Sequence, residues 1–162
     1  MPATIVLRVC TGTNAATEAT VSGITMRSND SPANDTANPI AIPGIGTAFS
    51  YEKWIRFMCT VAPSVQVTNF KYWGPASIPA VGTLLKVGTT ASGVTPVVTA
   101  SAVATAQQDT NHFSSGTALA VSGTLVNVND KSDFIVLQMS VGTSAGPGQI
   151  AQQTHDYSYD ES

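Results

Sequence analysis

The chain has 162 residues, a formal net charge of −3, 10% charged residues and 43% apolar residues. That length suits one ordinary domain spanning 1–162, able to bury a core without disulfides or metal. The missing positive field excludes the phosphate-binding classes, so no nucleic-acid partner is expected, and the apolar content excludes a disordered chain.

Hydropathy alternates with period two almost throughout, which is the period of strands. Residues 4–10 form the first predicted strand, with Ile5, Leu7 and Val9 on one face and Val6, Arg8 and Cys10 on the other. Residues 19–26 form a second, weakened by Gly23. SNDSPANDTANP at 28–39 is a loop rich in turn formers. A short extended piece at 39–43 and GIGTAFS at 44–50 lead into YEKWIRFMCTVAPSVQVTNFKYWG.

That stretch reads as a hairpin of two strands, 51–61 and 65–73, joined by Ala62-Pro63-Ser64. Ile55, Phe57, Cys59 and Val61 share one face of the first strand, opposite Trp54, Arg56, Met58 and Thr60. In the second strand Val65 and Val67 are out of phase with Phe70 and Tyr72, and a bulge near Thr68-Asn69 would repair this.

Residues 82–90 follow as a strand, and 97–107 as a strand or extended loop. Further strands are expected at 118–127 and at Phe134–Gly142, where Ile135, Leu137, Met139 and Val141 alternate. A final strand and acidic tail occupy 149–162. The sum is eight to ten short strands and no convincing helix: an all-β, antiparallel β-sandwich of jelly-roll or immunoglobulin-like type.

Chemistry is sparse. Cys10 and Cys59 lie on strand faces of opposite phase and read as thiols in a reducing compartment, not as a disulfide framework. MPATIVLRVC lacks the pattern of a signal peptide, and no apolar run is long enough for a membrane helix. The chain therefore reads as soluble, made in a cytoplasm and without a membrane partner. The glycosylation patterns at Asn29 and Asn34 carry no weight without secretion. His112 and His155 each lack a neighbour at metal-ligand spacing. Asp130 with Asp133, and Asp156 with Asp160, could pair as carboxylates but sit in a turn and a tail. The Asn/Asp clusters at 29–35 and 127–133 are candidate calcium loops with turn formation as the plainer explanation. No catalytic residue, cofactor, metal or small-molecule substrate is expected, and the chain does not read as an enzyme.

Aromatic clustering is the unusual feature. The stretch 51–74 holds both tryptophans and three of the seven cations. Phe57 and Phe70 read as core. Trp54, opposite the aliphatic face and beside Arg56, is expected to be exposed or half-exposed, like an interface hot spot or a sugar platform. In the tail, Tyr157 and Tyr159 share a face opposite Asp156, Ser158 and Asp160. Such an end would fray unless it joined a sheet or met a partner.

The succession PIAIP, YEKWIRFMCT, VTNFKYWG, Thr/Ala/Gly/Val-rich strands and a closing YSYDES resembles small structural proteins of tailed-bacteriophage virions. The resemblance implies a head decoration (cement) protein on the capsid surface, stabilising neighbouring major capsid subunits and forming a small homo-oligomer. The expected contact residues are Trp54, Arg56, Tyr72, Trp73, Tyr157, Tyr159, Asp160 and Glu161. A carbohydrate-binding module or tail adhesin, with Trp54 and Trp73 as platforms, is the alternative.

Overall fold

The computed structural model describes residues 2–20, 22–34, 36–74, 80–107, 114–148, 150 and 152–162. The long strands form close to where alternation places them, but the strands expected at 19–26 and 118–127, interrupted by Gly23 and Gly123, shrink to Thr17–Thr20 and Leu119–Val121, and the final strand begins only at Asp156. Ten strands result: β1 (Thr4–Thr11), β2 (Thr17–Thr20), β3 (Thr47–Phe49), β4 (Lys53–Val61), β5 (Val67–Trp73), β6 (Thr83–Thr90), β7 (Ala106–Gln107), β8 (Leu119–Val121), β9 (Phe134–Gly142) and β10 (Asp156–Glu161). All pairings are antiparallel. One sheet has the order β2-β1-β4-β9-β6-β7, with β3 also on β9, and the other has the order β10-β5-β8. The described residues contain no α-helix, only a 3-10 turn at Thr13–Ala15. The architecture is an all-β, sandwich-like pair of sheets.

The hairpin expected at 51–73 does not form. β4 pairs with β1 and β9 in the large sheet, while β5 pairs with β10 and β8 in the small one. The short Ala62–Ser64 connection turns a corner between sheets, because both strands carry aromatic residues that can bury against each other. Phe57 stacks on Phe70 across the core, with centroids 5.0 Å apart and planes at 14°.

The bulge in β5 lies where the phase slip placed it. Pairing with β10 shifts between Ser158 and Asp160, and Asn69 adopts a left-handed φ of 54°. Asparagine tolerates that conformation better than most residues. Val67, Phe70 and Tyr72 consequently all point inward.

The core lies between the sheets, from Ile5 and Val9 through Ile55, Phe57 and Cys59 to Ile135, Leu137 and Val141. A second cluster covers the opposite, outer face of the large sheet: Cys10, Trp54, Phe134, Val136 and Ala104. The two thiols are free and buried in different clusters, as their opposite phases required.

The outer cluster is roofed by the segment before β7, extended and without regular structure over most of its length. Gln138 ties this roof down: its amide donates to the carbonyls of Ser50 and Thr99 and accepts from the Ser101 N–H. Gly88 permits the close approach, since a Cβ there would run into the Val103 carbonyl.

Candidate functional site

The sequence-selected residues separate into four environments. Trp54 is fully buried. Its indole Nε1–H donates to Glu52 Oε2 at 2.9 Å, and its ring meets Phe134 edge-on at 5.3 Å. The expectation of an exposed Trp54 is therefore corrected. The face opposite the aliphatic one is not open to solvent, because the roof segment lies over it, with the Val97 N–H donating to the same Glu52 oxygen at 3.2 Å.

Arg56 follows Trp54 on that outer face, at the edge of the roof. It pairs with Glu18, which also accepts from Lys131 Nζ at 2.9 Å and lies 3.9 Å from Arg8 Nε. The Arg56 guanidinium also stands over the Phe134 ring, 4.6 Å from its centroid. Burial pushes the Glu18 carboxyl up, but hydrogen bonds from Arg56 and Lys131 outweigh it and hold the group below its ordinary value. The neighbouring Cys10 thiol is pushed up to about 11, chiefly by burial, and so stays protonated and unreactive. Glu18 was not singled out from the sequence. The signal was available: Arg8 and Arg56 both fall on the outer phase of their strands and so require a nearby carboxylate.

Tyr72 is buried, and its hydroxyl lies 2.5 Å from His155 Nδ1. Burial pushes His155 below the usual histidine value, opposed by the Asp156 carboxylate. Trp73 is half-buried and stands opposite Asp156 in the β5–β10 ladder. His112 lies outside the described residues.

The tail is a strand held by its own sheet. Tyr157 packs on Phe57 at 5.1 Å and Tyr159 on Phe70 at 5.9 Å. Asp160 accepts from the Asn69 side-chain amide, and Glu161 accepts from the Ala3 N–H, both at 2.7 Å. Asp156, Tyr157, Ser158, Asp160 and Glu161 remain exposed along the free edge of β10. Asp130, in one of the candidate calcium loops, accepts from the Val126 and Asn127 N–H groups, which lower its pKa and make it a turn former. Among the described residues no three His, Cys, Asp or Glu side chains gather as a metal site, and no helix is long and apolar enough to cross a membrane.

The two most exposed large apolar side chains among the described residues were not selected from the sequence. Ile45 is 91% exposed and Val81 82%. Ile45 precedes β3, whose Thr47 stands opposite Gly142, and Val81 precedes β6, whose Thr83 stands opposite Val141. Both tips therefore flank the same end of β9. Ile45 sits between two glycines outside any alternating run, and that was the signal for a residue with no core to enter.

No family model, curated protein or solved structure matches the chain. The site must accordingly be judged on its own geometry.

Proposed function

We propose that the chain is a non-enzymatic structural protein of a phage virion, a decoration protein that coats the head and ties neighbouring major capsid subunits together as a small homo-oligomer. The observation that carries this reading is the pair of bare apolar tips, Ile45 and Val81, at one end of the large sheet. Lying in the turns that lead into β3 and β6, these two exposed aliphatic side chains flank one end of β9 and would add apolar area to a contact there. A shell offering many identical sites turns weak contacts of this kind into firm attachment. The acidic free edge of β10, with Trp73 beside it, is a second contact surface, one of strand pairing and charge.

Burial removes Trp54 and Tyr72 from the contact set, and Arg56 is largely occupied by Glu18. The sugar-binding alternative relied on Trp54 and Trp73 as paired open platforms, and with Trp54 inside the fold that pair does not exist.

The test is a cryo-EM reconstruction of particles carrying the protein, with copies counted on head and tail. Copies at symmetric head positions, with Ile45 or Val81 against the capsid and coating lost in Ile45→Asp, are expected. Copies confined to the tail, or full coating by an Ile45→Asp, Val81→Asp double variant, would overturn the reading.

A further inference from the structure

The small sheet is narrower than the large one, and part of the large sheet's inner face has no strand opposite it. There Leu85, Leu137 and Met139 form the floor of a cleft of about 1190 Å³. Ile24, Ile40 and Ile150, from loops before β3 and before β10, form its walls. Tyr72 and His155 stand together in the lining, joined by their hydrogen bond. That volume is somewhat above the roughly 300–1,000 Å³ of pockets that enclose drug-sized ligands, so the cleft has room for one. Among the described lining residues no side chain is Asp, Glu, Lys or Arg.

We infer that this cleft binds an uncharged lipophilic small molecule, an aliphatic chain or ring system bearing one hydroxyl or carbonyl, whose polar group is received beside Tyr72 and His155. The half-buried apolar walls supply most of the binding energy, since it is roughly proportional to apolar area removed from water and the floor residues are already buried. A carboxylate is disfavoured on the same geometry. It would lose its hydration with no cationic side chain among the described lining residues to replace it, and burial keeps the His155 imidazole neutral at neutral pH. This inference is independent of virion attachment, because the cleft is built from the chain's own core and loops.

The experiment is titration of the full chain with N-phenylnaphthylamine, a neutral dye that brightens in apolar sites, followed by displacement with dodecanol and with dodecanoate. Saturable binding is expected, with dodecanol displacing the dye at a concentration about tenfold or more below that of dodecanoate. Two variants locate the site. Ala145→Trp places an indole in the half-buried wall, and Ile42→Asp places a charge at an exposed lining position. Each should weaken dye binding about tenfold or more with the melting temperature unchanged, whereas Val98→Asp, in the roof segment on the outer face, should leave it unaltered. Absence of saturable binding, equal displacement by the two chains, or wild-type affinity in Ile42→Asp would overturn the inference, and the last holds even if Ala145→Trp fails to fold.

Discussion

The two faces of β4 use opposite means to hold the same strand. Its inner face sends Ile55, Phe57 and Cys59 into an apolar core, where attraction is non-directional and shape decides. Its outer face sends Trp54 to Glu52 and Arg56 to Glu18, where each contact has a donor, an acceptor and an angle. The lesson is that a strand covered on both sides need not be apolar on both sides. A thin roof of irregular chain suffices if polar groups fasten it, as Gln138 and Glu52 do.

Substitutions on each face should separate these two kinds of stabilisation. Phe57→Ala removes the ring that meets both Phe70 and Tyr157, and is expected to cost about 4 kcal/mol in denaturant unfolding. A loss under about 1 kcal/mol would mean that the inner face is not the main core. Glu18→Gln leaves Arg8, Arg56 and Lys131 around a neutral amide and should cost about 2 kcal/mol, less than a fully buried pair because the cluster is partly solvated.

That second difference carries its own pH signature. The folded Glu18 pKa lies below the ordinary 4.5, so the stabilisation is fully present above that value and is lost as pH falls through the lower folded value. Melting of wild type and Glu18→Gln across the acid range should therefore converge at low pH, and parallel curves would discount the ion cluster.

Lys53 sharpens the contrast, because it shares the phase of Ile55 and Phe57 yet is charged and buried. Its ammonium donates to the carbonyls of Ser31 at 2.8 Å and Asn29 at 3.4 Å. Burial pushes its pKa from 10.5 down to about 8, against the pull of Asp30. The unfolded chain thus holds the proton more tightly, and stability should rise with pH between those two values. Relative to Lys53→Met, wild type should gain on the order of 1–3 kcal/mol across that window, read as a rising difference in unfolding free energy. A flat difference would show that Lys53 is as well solvated as a surface lysine.

The smallest effect belongs outside the core altogether. Ile45→Asp should change stability by less than about 0.5 kcal/mol, since Ile45 is nearly free in solvent. A larger loss would mean that the tip packs within the fold and is not available to a partner.

The long strands β1, β4, β5, β6 and β9, the β5 bulge and the separation of the thiols were legible because each is written in local alternation, whereas the expected strands at 19–26 and 118–127 were drawn too long across Gly23 and Gly123. The partner of each strand was not. Ala62-Pro63-Ser64 is short enough for a hairpin or for a corner between sheets, and only the mutual burial of Phe57 and Phe70 decides. Trp54 was misplaced for a related reason: the roof that buries it is an irregular Ala/Thr/Ser/Val segment with no period to announce a covering role. Tyr72 and His155 are separated by 83 positions, so nothing local joins them.

The pairing order also constrains how the chain reaches this state. Among the described strands, only β1 with β2 and β6 with β7 are neighbours both in sequence and in a sheet. β1 must wait for β4, β5 for β8 and β10, and β4 and β6 for β9. Folding governed by such distant closures belongs to the slow end of small-domain rates. Until β9 arrives, the aliphatic strands on either side of it have no shared partner and expose bare edges that other chains can join. The yield of soluble protein should therefore depend on synthesis rate and temperature more steeply than its final stability suggests.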